Sequence, residues 1–231
     1  MTILLTRPAP QAEAFARLLH QQFGAELSIL SSPLLRIHPL APTIDLGDVA
    51  RLIVTSPHAV HAAAPLIQSR AVPLACVGSK TTRAAEVAGF KVAETAPDAA
   101  HLLARLIAQG PAVGPCLYLR GQTVARPIVR HLTEAGIAAR DLVVYRQIPQ
   151  SLTTAARRVL DAGDRVILPL FSPRTAEIFN AETGSLTLAS TSAVCLSPRI
   201  AAALEAARFQ RVFVAAQPNA AALQQKIAAI I

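Results

Sequence analysis

The chain contains an internal repeat, and this repeat limits the folds that it can adopt. A length of 231 residues suits two domains of about 100–150 residues each. The matching segments keep their order in both halves, so we expect two similar domains. The matching pairs are Leu4–Pro8 with Leu117–Gly121, Val54–Ala59 with Leu170–Thr175, and Cys76–Phe90 with Cys195–Phe209.

Short apolar segments alternate with Ala-rich segments of helical length along the whole chain. This alternation is typical of βαβ units, in which parallel strands form a sheet that helices cover. We expect an α/β protein in which each domain is a doubly wound parallel sheet with helices on both faces. The helices are expected at Gln11–Gln22, His58–Gln68, Lys80–Ala88, Ala125–Ala135, Thr175–Asn180, Ile200–Ala207 and Asn219–Ile230.

Two extended segments are candidates for the connection between the domains. Pro33–Pro39 and Leu142–Pro149 occupy equivalent places in the repeat, and each ends at a proline. Paired side by side, they predict a two-stranded linker at residues 35–39 and 144–149. The expected domains are then 1–34 with 150–231, and 40–143 inserted between these two segments, with a ligand held between the domains.

The charge of the chain points to an anionic partner. The net charge is +8, and 19 of the 22 basic residues are Arg. The chain has no basic run, Trp is absent and only two Tyr occur, which disfavours nucleic acid as the partner. Guanidinium groups bind carboxylates through two parallel hydrogen bonds, so a small polycarboxylate fits better. A genomic bias toward Arg and Ala codons explains the same composition equally well.

Several classes of protein and site are disfavoured. No apolar run approaches the ~18 residues of a membrane span, so we expect a soluble, cytoplasmic protein without a membrane partner. The three cysteines are far apart in apolar runs, which suggests buried thiols. His58 and His61 lack a third ligand for a metal. The sequence around Lys80 departs from the phosphate-loop pattern, and Gly-x-Gly-x-x-Gly is absent.

Three turns are candidates for anion binding. Thr55-Ser56-Pro57 and Phe171-Ser172-Pro173 each follow an apolar strand and open a helix. Helix capping explains the Ser-Pro pairs completely. The Ser hydroxyl accepts a hydrogen bond from an amide that has no partner within the helix, and Pro has no backbone N–H to leave without a partner. The same turns lie where open α/β sheets bind ligands, and helix amino ends attract anions. Gly78-Ser79 forms a comparable strand-to-helix turn that exposes amides to a carboxylate.

Tyr145 lies in the expected linker beside Arg146. A phenol near a cation can donate a hydrogen bond or a proton. Packing of the ring on a domain edge is the alternative, and position alone favours packing.

Taken together, these motifs resemble those of uroporphyrinogen-III synthases, the cyclising enzymes of tetrapyrrole biosynthesis. Each motif alone is weak, but seven in order along a duplicated chain are specific. They are Leu5–Pro8, Val54–Val60, Val77–Thr82, Leu119–Gly121, Val143–Gln147, Phe171–Arg174 and Ala216–Asn219.

The resemblance implies two flavodoxin-like domains joined by a two-stranded linker, without a cofactor or a metal. It implies that hydroxymethylbilane, a linear tetrapyrrole with eight carboxylates, loses its terminal hydroxyl and closes to uroporphyrinogen III. The terminal pyrrole ring is inverted through a spiro intermediate. Tyr145 corresponds to the tyrosine proposed as the proton donor for departure of the hydroxyl. A noncatalytic two-domain binder of a tetrapyrrole or another polycarboxylate is the alternative.

The resemblance also implies the substrate-binding residues. The turn Ser197-Pro198-Arg199-Ile200 departs from the Gly-Pro-Thr-Thr common in the family. We expect a monomer that makes a transient contact with hydroxymethylbilane synthase and binds no nucleic acid. The implied substrate-binding residues are Arg7, Thr55, Ser56, His58, Gly78, Ser79, Thr81, Arg120, Gly121, Ser172, Arg174 and Ser197.

Overall fold

The computed structural model describes residues 1–123 and 126–231 as alternating strands and helices. The strands are β1 (Thr2–Leu5), β2 (Ile29–Ser31), β3 (Leu35–Pro39), β4 (Arg51–Val54), β5 (Leu74–Val77), β6 (Val92–Ala96), β7 (Cys116–Gly121), β8 (Ala139–Pro149), β9 (Val166–Leu170), β10 (Leu188–Cys195) and β11 (Phe209–Val214). The helices are α1 (Ala9–Phe23), α2 (Pro57–Ala63), α3 (Ser79–Val87), α4 (Ala99–Gln109), α5 (Ile128–Glu134), α6 (Thr154–Asp161), α7 (Pro173–Glu182), α8 (Pro198–Ala201) and α9 (Ala220–Ala228).

The chain divides into two compact units. Unit 1 comprises 1–36 and 148–231. Its five strands form a parallel sheet in the order β11-β10-β9-β1-β2, which is the flavodoxin-like order. Leu4, Leu168 and Phe179 lie in the core that α6, α7 and α8 cover on one face of the sheet. The core on the other face, covered by α1 and α9, includes Phe15 and Ile227.

Unit 2 comprises 37–147. Its sheet has the order β3-β8-β7-β4-β5-β6, and the pairs from β8 to β6 are parallel. Residues of α2 and α3 pack on one face of the sheet, with Val54 and Leu119. Residues of α4 and α5 pack on the other face, with Ile53 and Tyr118. Two doubly wound parallel sheets with helices on both faces confirm the predicted fold class. The domain boundaries drawn from the sequence stay a prediction.

The repeat has a distinctive arrangement in space. By the sequence matches, β7 and β8 correspond to β1 and β2, and β4, β5 and β6 correspond to β9, β10 and β11. The order β8-β7-β4-β5-β6 in unit 2 therefore equals the order β2-β1-β9-β10-β11 in unit 1. Each half of the chain contributes its first two strands to the sheet that the other half completes.

Some helix predictions are wrong. The helix expected over 58–68 ends at Ala63 and continues as the 3-10 segment Ala64–Leu66, because Pro65 has no N–H to donate to the preceding turn. The helix expected over 200–207 is reduced to α8, after which Ala203 and Leu204 donate i→i−3 bonds. The strands β2 and β6 and the helices α4 and α6 were not predicted. Ala125, the expected start of another helix, lies outside the described residues.

The described residues lack two kinds of feature. None of the helices within 1–123 and 126–231 combines the length and the apolar character that a membrane span requires. The same residues contain no group of three or more His, Cys, Asp or Glu side chains placed to hold a metal ion.

Candidate active site

Each sheet has one point at which the strand order reverses, and most of the predicted site residues lie at or just after the strand ends there. In unit 1 this point lies between β1 and β9, and in unit 2 it lies between β7 and β4. Open α/β sheets bind ligands beyond the carboxyl ends of the strands at such points. The segments that follow the strands are Thr6–Pro8 and Phe171–Pro173 in unit 1, and Gln122–Thr123 and Thr55–Pro57 in unit 2.

The turn after β4 uses both of its hydroxyls. Ser56 is the N-cap of α2, and its Oγ accepts a hydrogen bond from the amide of His58 at 3.2 Å. Pro57 occupies the first helical position, where the missing N–H costs nothing. Thr55 Oγ1 shares a hydrogen bond of 2.9 Å with the phenol of Tyr118 on β7. This bond spans the point where the strand order of unit 2 reverses.

Tyr118 contacts a predicted site residue, Thr55, and was not predicted from the sequence. Its side chain is buried, and desolvation raises the pKa of its phenol, while the bond to Thr55 acts in the opposite direction. Tyr118 lies in an apolar strand, and the neighbouring sequence does not indicate a polar partner for its phenol. Only the register of β7 against β4, which sets Tyr118 opposite Ile53, brings it beside Thr55.

The turn after β5 presents backbone amides. Gly78 is the N-cap of α3 with φ of 78°, and its carbonyl accepts bonds from the amides of Thr81 and Thr82 at 3.1 Å each. The Thr81 side chain is buried, whereas Ser79 is exposed. Ser79 and Lys80 are the first two residues of the helix, so their N–H groups have no acceptor within it. These amides can bind a carboxylate.

Arg120 and Gly121 form the end of β7. The Arg120 guanidinium pairs with the carboxylate of Asp141 on β8, and its Nη1 donates to the carbonyls of Gly121 at 3.0 Å and Gln122 at 3.1 Å. Asp141 was not predicted, because its partner is fixed by the pairing of β7 with β8. The guanidinium is therefore held against its own turn.

Tyr145 lies on β8 directly opposite Gly121. Its carbonyl accepts a hydrogen bond from the amide of Gln122 at 3.0 Å, and the residue is only 7% exposed. The His58 ring lies with its centroid 5.8 Å from that of Tyr145. Burial, and secondarily the neighbouring His61, lower the pKa of His58, so its imidazole is neutral at neutral pH. Tyr145 is thus enclosed by the turns after β4 and β7.

In unit 1 a cation–π contact joins the ends of β1 and β9. Cζ of Arg7, just after β1, lies 3.9 Å from the ring centroid of Phe171, which follows β9. Phe15 packs edge-on against the same ring at 5.1 Å. Burial lowers the pKa of Arg7, although a guanidinium stays charged at neutral pH. Arg7 and Phe171 occupy the repeat positions of Arg120 and Thr55.

The remaining predicted residues of unit 1 differ in their contacts. Ser172 caps α7: its Oγ accepts from the Thr175 amide at 3.2 Å and shares a bond of 2.8 Å with the Thr175 hydroxyl. Arg174 is half-buried in the first turn of that helix. Ser197 precedes α8 but makes no side-chain bond to it. No described contact assigns these residues to a ligand, so their binding roles stay predictions.

Comparison with known proteins supports one family. The model of the family uroporphyrinogen-III synthase HemD matches residues 13–225. A uroporphyrinogen-III synthase of Chlorobaculum parvum is 30% identical over 206 residues, which cover 82% of each chain.

Solved structures support the fold. The uroporphyrinogen-III synthetase of Helicobacter pylori aligns with a TM-score of 0.71 at 18% identity, covering 100% of this chain and 99% of that one. A mutant uroporphyrinogen III synthase of Thermus thermophilus aligns with a TM-score of 0.58 at 15% identity, covering 99% and 98%. Because the family model spans nearly all of the sequence, this chain belongs to the uroporphyrinogen-III synthase family.

Proposed function

We propose that this chain is a cyclising lyase that converts hydroxymethylbilane to uroporphyrinogen III. The terminal hydroxyl leaves as water, the ring closes, and the last pyrrole is inverted through a spiro intermediate. Membership of the family across residues 13–225 supports the reaction. The observation that carries the site assignment is the position of Tyr145 between the turns that follow β4 and β7.

Tyr145 is the proposed proton donor. Its phenol gives a proton to the departing hydroxyl, and the C–O bond breaks with its electron pair on the oxygen, so that water leaves. The pyrrole nitrogen supplies electrons to the carbon, and the ring becomes a positively charged azafulvenium that keeps its N–H proton. The phenolate recovers a proton when the closing macrocycle loses one, so the proton count balances. Neutral His58 adds no charge beside the phenol during this exchange.

The turns at the strand ends are the proposed binding sites for substrate carboxylates. In unit 2 the free amides of Ser79 and Lys80 at the start of α3 suit a carboxylate, because the helix dipole adds positive potential there. In unit 1 Arg7 supplies a charged group and Ser172 opens α7. Binding many carboxylates at fixed points restrains the flexible substrate, and restraint of this kind selects the conformer that reacts.

The remaining proposals concern organisation and context. We propose that residues 1–34 with 150–231 and residues 40–143 act as the two domains, with 35–39 and 144–149 as linkers. We also propose that the protein acts as a cytoplasmic monomer and receives its unstable substrate through transient contact with hydroxymethylbilane synthase. Gel filtration across a range of protein concentrations tests the monomer.

The isomer of the product tests the function. The purified protein is coupled to hydroxymethylbilane synthase and porphobilinogen, and the oxidised uroporphyrins are separated by chromatography. We expect isomer III to predominate, since isomer I forms without the enzyme. Isomer I alone, from a folded sample beside a working positive control, would instead favour a noncatalytic polycarboxylate binder.

A further inference from the structure

The backbone conformation at residue 121 does not require the glycine that is found there. Seven of the ten glycines have positive φ, and Gly121 is not among them. A Cβ at this position would instead lie 2.6 Å from Cζ and 2.8 Å from Oη of Tyr145. Carbon atoms do not approach that closely without a shift of the ring or of the strand. The phenol of Tyr145 is therefore what excludes a side chain at residue 121.

The backbone around Gly121 also aims the Tyr145 ring. Arg120 pairs with Val143, but Gly121 pairs with Tyr145, so Val144 is an extra residue in β8. An extra residue of this kind turns the following side chain and increases the local twist. The Gln122 amide then binds the Tyr145 carbonyl at 3.0 Å. Main chain and ring of Tyr145 are thus both positioned by the same turn.

A charged pair holds this turn in place. Arg120 Nη1 binds the carbonyls of Gly121 and Gln122, and its Nε binds the carboxylate of Asp141. Asp141 lies on β8, the strand that carries Tyr145. The guanidinium therefore connects the strand of the phenol to the turn against which the phenol packs.

We propose that Gly121, Arg120 and Asp141 are positioning residues for the Tyr145 phenol. Gly121 leaves room for the ring, and the Arg120–Asp141 pair keeps the turn at the distance that the ring needs. Arg120 then serves the reaction through Tyr145 rather than through a substrate carboxylate. This inference rests on the proposed role of Tyr145 as proton donor.

Kinetics of paired variants test the proposal. A misplacement of about 1 Å can cost roughly 100-fold in rate, so we expect G121A to lower kcat by about that factor with little change in KM. In a Y145A background, where no ring remains to be displaced, we expect G121A to change the residual rate by less than about twofold. An equal loss in both backgrounds, or no loss in the wild-type background, would overturn the proposal.

Matched controls exist in the same unit. A Cβ at Gly114, at the amino end of β7, would overlap Cβ of Ala50, so G114A should lower stability without lowering kcat. Arg140, the residue before Asp141, forms a surface ion pair with Asp48. We therefore expect D141N to lower kcat several-fold and D48N to leave it unchanged. Equal effects of D141N and D48N would count against the role of Asp141.

Fluorine NMR provides a readout that is independent of turnover. The chain has only two tyrosines, so protein labelled with 3-fluorotyrosine gives two signals, which Y118F assigns. We expect G121A and D141N to shift the Tyr145 signal and D48N to leave it in place. An unmoved signal in G121A would refute the positioning role. A shifted signal in G121A, together with unchanged turnover in Y145F, would support positioning and refute the proton-donor role separately.

Discussion

Replacing Tyr118 by Phe removes one partner of the hydrogen bond that joins β7 to the turn after β4. The phenol and Thr55 Oγ1 are 2.9 Å apart, and the pair is partly buried. A net hydrogen bond contributes about 0.5–1.5 kcal/mol, and a partner left unsatisfied costs about 1–3 kcal/mol. We expect Y118F to lower the free energy of unfolding by about 1–2 kcal/mol.

The partner substitution separates the hydrogen bond from packing. T55V alone leaves the Tyr118 phenol without a partner and should lower the free energy of unfolding by a similar amount. Y118F/T55V removes both polar groups, so neither is left without a partner. We therefore expect the double variant to be more stable than the sum of the single effects by about 1 kcal/mol. The assay is urea denaturation at pH 7 followed by far-UV circular dichroism, which does not depend on the lost tyrosine.

Additive effects would refute this reasoning, because two residues without a shared bond should not couple. The cycle also addresses Thr55 as a predicted substrate-binding residue. If its hydroxyl serves chiefly the bond to Tyr118, KM should change little in T55V after correction for the folded fraction. A large increase in KM in a fully folded T55V sample would instead favour direct contact with substrate.

Three further predictions concern stability. Burial raises the pKa of Cys76 to about 11 and that of Cys195 to about 12. A thiol with a raised pKa stabilises the fold fully below its unfolded pKa, and this stabilisation is lost as the pH rises toward the folded pKa. C76A and C195A should therefore each reduce the fall in urea midpoint between about pH 9 and 11, and curves parallel to wild type would contradict this. The buried Thr6 hydroxyl has no hydrogen-bond partner among the described residues. T6V should therefore raise the melting temperature, by about 2–4 °C for each kcal/mol added to the free energy of unfolding. A melting temperature below that of the wild type would show that the hydroxyl is hydrogen-bonded in solution. Ser172 caps α7, so S172A should lose about 1 kcal/mol in urea denaturation while S197A, at a position without a capping bond, loses less; equal losses would contradict the difference between the two turns.

The fold followed from the sequence because its signals are local and repeated. Strand-to-helix alternation and the order of the repeated segments were sufficient for two doubly wound sheets. The errors were also local. Pro65 ends α2 early, and α4 was overlooked although Asp98 caps it and Leu102, Leu103 and Leu106 form its buried face.

The site was less accessible to sequence reasoning because its contacts cross between strands. Tyr118 meets Thr55 and Arg120 meets Asp141 only through the register of β7 with its neighbours. No spacing within one segment encodes these pairs. The sequence also could not distinguish Gly121 from the glycines with positive φ, since the reason for this glycine is the Tyr145 ring on the next strand.

Turnover by Y145F tests the central claim most directly. The Phe variant keeps the ring against Gly121 and His58 but has no phenolic proton to donate. Initial rates of uroporphyrinogen III formation from hydroxymethylbilane are measured for Y145F, Y118F and wild type, with far-UV circular dichroism to verify folding. General acid catalysis contributes about 10²–10⁴-fold, so we expect Y145F to lose activity within that range while isomer I accumulates. A folded Y145F protein that forms isomer III at the wild-type rate would contradict the account.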